Sequence, residues 1–221
     1  TVTSIQKEEV VGLDPSKAEA SVNAVFAQFS QYMPNEEALG AERHNDFGYP
    51  AVMLFFDSNG NDVVSDDNGY NWTGNNMDYS DRTYTSNESQ ILWNNMYAII
   101  RASNNVIGAI PADVEDETSQ YFLAQGLAVR AYSYWVLANL YQFNYVGNES
   151  KPCVPILTPE NSDIAAIDGV ERSTVQQVYD LIMDDLDLAI DLLEASGLEP
   201  ADKRYVSLAV AYGLRARANL T

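Results

Sequence analysis

Tyr70, Trp72, Tyr79 and Tyr84 fall within fifteen positions of one another, in a stretch that also carries Asp67, Asn71, Asn75, Asn76, Asp78 and Arg82. Flat aromatic faces suit the C–H side of a pyranose ring, and planar amides, carboxylates and guanidinium groups suit its hydroxyls. Residues 66–84 therefore hold both halves of a sugar-recognition chemistry. Trp72 either contacts a ligand or anchors the loop to a scaffold, and residue types alone leave both readings open. The surrounding segment, Asp57 to Ser89, is rich in Asn, Asp, Gly and Ser, whose side chains favour turns by bonding to nearby backbone. It reads as about thirty residues of mostly irregular chain, and ordered loops of that length are often functional. A disordered linker seldom carries so many aromatics.

Other chemistries find less support. His44 is the only His and Cys153 the only Cys, so there is no Cys–His pair, no His-based zinc cluster and no disulfide within the chain. A Ser-His-Asp triad would rest on His44 alone. Carboxylates are abundant enough for a glycosidase-like pair, but they concentrate on helix faces, where solvation explains them. DSNGND at 57–62 and DDNG at 66–69 resemble calcium loops. The first lacks a Gly at its sixth position, and neither has the closing Glu at the twelfth. No catalytic residue, metal ligand or cofactor is expected. The formal net charge of -20 and pI near 4.1 argue against nucleic acid and anionic lipid as partners, since both would be repelled.

The elements that would position the loop are helical. Asp14 reads as an N-cap with Pro15 at the first helical position, opening a helix with Ala18, Val22, Val25, Phe26 and Phe29 on one face and stopped by Pro34. The apolar run Pro50 to Phe56 fits a short buried helix or a strand, and helix is preferred because its neighbours have helical periodicity. From Gln90 to Ile107, Trp93, Tyr97, Ile100, Asn104 and Ile107 form one stripe. Tyr121 to Tyr141 carries Tyr121, Ala124, Ala128, Ala131, Trp135 and Ala138 at steps of three or four, a face of small residues that lets a second backbone come close. An irregular span, Gln142 to Arg172, holds the extended-looking CVPILTP.

Ser173 then caps a strongly amphipathic helix. It has Val175, Val178, Tyr179, Ile182, Leu186, Ala189, Ile190 and Leu193 inward, and Asp180, Asp184, Asp187, Asp191 and Glu194 outward. A last helix carries Val206, Ala209, Gly213, Ala216 and Leu220 on one stripe, each 85 positions after Tyr121, Ala124, Ala128, Ala131 and Trp135. That spacing reads as an internal repeat of helix pairs, of the tetratricopeptide type. Trp93, Tyr97, Tyr132 and Trp135 are expected in the core. Asn104 is expected to bond a neighbouring loop's backbone, and Arg130 and Arg215 to pair with carboxylates. The fold class is all-α, with long irregular loops.

The succession NDFGYPAVMLFFDSNGNDVV at 45–64, WNNMYAIIRASNNVI at 93–107, AQGLAVRAYSYWVLANLY at 124–141, VPILTPEN at 154–161 and STVQQVYDLIMDDLDLAIDLL at 173–193 resembles the SusD/RagB family of Bacteroidetes nutrient-binding outer-membrane lipoproteins. Its order and spacing match across nearly the whole chain, and the order rather than any one motif is specific. The resemblance implies a tetratricopeptide-rich, non-catalytic binding protein. Such a protein works with a SusC-like TonB-dependent transporter barrel and captures oligosaccharide, or in some members peptide, at the cell surface. It implies a glycan site drawn partly from the loop before the first tetratricopeptide helix, whose residues vary with substrate; the loop's own chemistry puts forward Asp67, Tyr70, Asn71, Trp72, Asn75, Asp78, Tyr79, Arg82 and Tyr84. Members are longer, so residues 1–221 are expected to be one N-terminal domain, with helix pairs at 90–141 and 173–220 and membrane contact only through a lipid anchor on the precursor. The alternative is a tetratricopeptide-type protein-interaction module with no glycan site of its own.

Overall fold

The computed structural model describes residues 15–31, 48–60 and 83–221. It divides into two compact units, Thr1–Phe26 with Ile99–Thr221, and Ala27–Ala98. The helices are α1 (Pro15–Ala27), α2 (Tyr49–Asn59), α3 (Asn87–Ile107), α4 (Glu117–Tyr141), α5 (Ser162–Asp168), α6 (Val175–Ser196) and α7 (Leu208–Asn219). Two short strands, β1 (Pro152–Pro155) and β2 (Arg172–Thr174), pair antiparallel. The fold is mostly helical, as the periodicity predicts, and the extended-looking CVPILTP run begins within β1.

In the larger unit the core lies where α4 packs extensively on α6, with α7 against α6. α4 begins at Asp116, whose carboxylate accepts from the Ser119 N–H at 2.8 Å and satisfies one of the open amides of the first turn. Its small face is only part of what it buries. Residues 122–131 are all buried, together with Ser133, Tyr134, Val136, Leu137 and Ala138, so α4 is a central helix covered on every side. Tyr132 and Trp135, expected in the core, are half-buried instead. Trp93 and Tyr97 are likewise half-buried, their rings 4.8 Å apart, while Ile91, Met96, Ile99 and Ile100 of α3 are fully buried. The close approach to α3 falls at Gly126, where a Cβ would sit 3.2 Å from Val106.

α6 follows its predicted pattern residue by residue: every expected inward side chain is buried, and the five expected outward carboxylates are exposed. Thr174, not Ser173, is its cap, forming a reciprocal capping box with Gln177. Gly197 closes it in the left-handed conformation at φ 62°. α7 departs from expectation. Ala209, Gly213, Ala216 and Leu220 are exposed, and the buried positions are Ala211 and Ala218. The 85-residue correspondence with α4 is thus one of sequence and not of burial: α4 is enclosed, whereas α7 buries one narrow side on α6.

In the Ala27–Ala98 unit, the apolar run around Pro50 is helical, as expected. Gly48 precedes α2 at φ 78°, with Phe29 O and Gln31 O only 2.6 and 2.9 Å from where a Cβ would stand, so a side chain there would collide with backbone. Phe29 and Tyr49 meet edge-to-face at 5.5 Å. Asp57 and Ser58, the start of the first calcium-like motif, lie in the last turn of α2, where the buried Ser58 hydroxyl donates to Leu54 O.

Candidate functional site

Of the predicted sugar-binding residues, the structure describes Tyr84. Asp67, Tyr70, Asn71, Trp72, Asn75, Asn76, Asp78, Tyr79 and Arg82, and also His44, lie outside the described residues. Tyr84 stands at the tip of the turn that leads into α3, and its side chain is 98% exposed. Hydrogen bonds on either side hold the turn in shape. Ser86 N donates to Thr83 O at 3.0 Å, Ser89 Oγ donates to the same carbonyl at 3.2 Å, and the Thr83 and Thr85 hydroxyls lie 3.2 Å apart. Ser86 caps α3 by accepting from Ser89 N–H at 3.1 Å. The result is a flat ring open to solvent, flanked by two hydroxyls and fixed to the head of a long helix. That arrangement can stack on a sugar face and bond to its edge without moving first. Thr83 and Thr85 were not singled out from the sequence; their adjacency to Tyr84 was the available signal.

The other polar constellation is buried and structural. Arg130 on α4 makes two 2.7 Å hydrogen bonds to Asp185 on α6 and one of 2.9 Å to Asn104 Oδ1 on α3. Asn104 Nδ2 then donates to Leu157 O at 2.9 Å, the loop-backbone bond expected of it. Leu157 N donates to Tyr134 Oη at 2.7 Å, so the Leu157 peptide is gripped at both ends. Pro159 of the same loop fits beside Gly108, where a Cβ would be 3.0 Å from it. Burial pushes the Asp185 carboxyl up against the pull of Arg130, and pushes the Tyr134 hydroxyl up to about 12. These groups join three helices to a loop and present nothing reactive to solvent. Asp185 could have been found by register, since it sits three after Ile182 and four before Ala189 on the buried stripe.

Arg215 pairs with Asp187, as expected. Trp135 is already engaged: Arg217 lies over its ring at 4.5 Å, Tyr132 stacks at 6.1 Å, and its Nε1–H donates to Thr221 at 3.0 Å. The cleft beside it, lined by Ile182, Leu186, Leu214 and Ala218 among others, has room for about 10 Å³, far below the roughly 300 Å³ where ligand pockets begin. Cys153 is buried, and that burial pushes its thiol up, away from reactivity. Among the described residues no group of three or more His, Cys, Asp or Glu could hold a metal ion, and no helix is long and apolar enough to cross a membrane.

Residues 14–220 match the profile of a SusD-like family described as starch-binding and associating with the outer membrane. Among solved structures, a SusD-like carbohydrate-binding protein from Bacteroides vulgatus superposes with a TM-score of 0.77 at 24% identity, covering 94% of this chain and 41% of that one. A laminarin-binding SusD-like protein superposes with a TM-score of 0.61 at 19% identity, covering 93% of this chain and 40% of its own. This chain therefore spans less than half the length of either. A comparison with curated proteins found no significant match.

Proposed function

This chain belongs to the SusD-like family, and from that premise we propose that it binds oligosaccharide without catalysis, at the outer-membrane surface, for uptake through a partner TonB-dependent transporter. The observation that carries the reading is Tyr84, an aromatic face almost wholly exposed on a turn locked by its own hydrogen bonds. An aromatic face held open to solvent on a fixed turn can stack on the C–H side of a sugar ring. The family description and the carbohydrate-binding names of the structural neighbours support it. In this reading Asp67, Tyr70, Asn71, Trp72, Asn75, Asp78, Tyr79 and Arg82 complete the site around Tyr84, and a lipid anchor on the precursor holds the protein at the outer face.

Affinity electrophoresis and calorimetry against a panel of polysaccharides test it. A glycan ligand is expected, and its affinity should fall about tenfold in Tyr84→Ala, the worth of one stacking contact of about 1.4 kcal/mol. Binding that survives both Tyr84→Ala and a Tyr70→Ala/Trp72→Ala double substitution would remove this loop from the site. A second reading, a protein-interaction module, draws on the exposed small-residue side of α7. Capture of a transporter barrel with no glycan bound at all would favour it.

A further inference from the structure

Resting on the uptake reading above, we infer that α5 docks this chain on its partner transporter, its two isoleucines entering an apolar groove on that partner edged by Lys and Arg. α5 packs inside out. Ala165 is half-buried, while Ile164 and Ile167, the largest side chains of the helix, are 59% and 84% exposed. A spacing of three puts both isoleucines on one face, so they form one apolar surface rather than two scattered ones. Burial alone favours the reverse arrangement, with Ile turned in and Ala turned out.

The helix is not free to turn over. Seven residues make a helix with little stability of its own, and this one is tied at both ends. Thr158 N–H donates to Asn161 Oδ1 at 2.8 Å, Asn161 Nδ2 donates to Ile156 O at 3.0 Å, and Ser162 N–H donates to Thr158 O at 3.1 Å. Just upstream, Leu157 is bonded to Asn104 and Tyr134. Downstream, Arg172 donates to the Cys153 and Pro152 carbonyls at 2.6 and 2.9 Å. The isoleucines are therefore presented in a fixed geometry, and little freedom is lost when a partner covers them. Two apolar anchors at i and i+3 are the pattern by which a groove receives a helix.

Charge selects the occupant. Glu160, Asp163, Asp168 and Glu171 flank the pair, all exposed, and no cation stands between 160 and 171. A second copy of the chain would bring the same acidic edge and a net charge of -20, and an anionic lipid surface is repelled in the same way. Branched aliphatic side chains offer no flat face to a sugar ring. A protein groove with an apolar floor and basic residues at its edge complements both the isoleucines and the carboxylates, and the uptake reading supplies one protein partner.

A photo-crosslinking residue, p-benzoylphenylalanine, is placed at Ile164 or Ile167 of the protein in its own cells. For comparison it is placed at Phe143 or Tyr212, which are 77% and 48% exposed elsewhere on the surface. Mass spectrometry should identify the TonB-dependent transporter as the product cross-linked from the α5 positions. Co-purification of the transporter should fall at least about tenfold in Ile164→Ser/Ile167→Ser, with the thermal midpoint and glycan affinity unchanged, because both side chains are exposed. Binding of the parent should weaken at least about threefold between about 50 mM and about 500 mM salt. Cross-linking to the transporter from Phe143 or Tyr212 alone, undiminished co-purification of the double variant, or binding insensitive to salt overturns the inference and leaves the uptake reading standing. Cross-links from α5 to a second copy or to lipid alone overturn it as well. A transporter that is neither cross-linked nor co-purified overturns the uptake reading itself, and this inference with it.

Discussion

Removing the Tyr84 ring should leave the fold intact, because a side chain that is 98% exposed buries nothing. Thermal unfolding of Tyr84→Ala should match the parent within about 0.5 kcal/mol, as surface substitutions do, so a lost glycan affinity reports recognition alone. Tyr84→Phe keeps the stacking face and should keep most of the affinity, while Tyr84→Ala should not. Arg130 is the opposite case, since it is buried and paired. Arg130→Met leaves Asp185 and Asn104 Oδ1 without their donor and should cost about 3–5 kcal/mol in denaturant unfolding. The double variant Arg130→Met/Asp185→Leu replaces both charges with apolar groups and should recover most of that loss, because a buried pair is expensive to desolvate as well as to break. A double variant as unstable as the single would mean that Asn104 and the Leu157 loop depend on the guanidinium itself.

At the scale of elements, two glycines in helices make opposite predictions. A Cβ at Gly126 would stand 3.2 Å from Val106 and 3.3 Å from Ile107, so Gly126→Val should destabilise by about 1–3 kcal/mol through overpacking. Gly213 on α7 has nothing within 4 Å of its would-be Cβ, and Gly213→Ala should stabilise by about 0.5–1 kcal/mol through helix propensity. The α4 cap makes a pH-dependent prediction. The Ser119 N–H holds the Asp116 carboxylate below its ordinary value of 3.8. The unfolded chain therefore binds that proton more readily. The cap's charge contribution is full above the unfolded value and is lost as pH falls through the folded one. Asp116→Asn keeps a capping oxygen but no titration, so its unfolding midpoint should change less than the parent's between about pH 5 and pH 3.

The difference between α6 and α7 also shows what was legible in the sequence. α6 has one apolar and one acidic side, and period alone located both. α4 is apolar or small nearly all round, so the Ala stripe was real but was only a part of a helix buried on every side. α7 has the same kind of stripe exposed, because Ala and Gly carry too little apolar surface to reveal whether a partner covers them. The candidate site was put forward as a composition, aromatics among amides, carboxylates and a guanidinium, and of its residues the structure describes Tyr84. Which of those rings stand free depends on turn hydrogen bonds such as those of Ser86 and Ser89 to the Thr83 carbonyl, and no periodicity encodes those.

For the whole molecule, 32 acidic residues stand against 12 basic ones, so most carboxylates have no cation to answer them. The Arg130–Asp185 pair is buried, and salt screens it little. Arg204–Asp202 and Arg215–Asp187 are at the surface, where such pairs are worth about 0–1 kcal/mol each. Self-repulsion at a net charge of -20 acts on every conformation but most on the compact one, where the charges lie closest together. Screening it should therefore outweigh the loss of two exposed pairs. Raising sodium chloride from about 10 mM to about 500 mM, which shortens the Debye length from about 30 Å to under 5 Å, should raise the thermal midpoint at neutral pH by a few degrees. A midpoint that falls with salt would mean that attractive surface pairs, and not repulsion, dominate this chain's electrostatics.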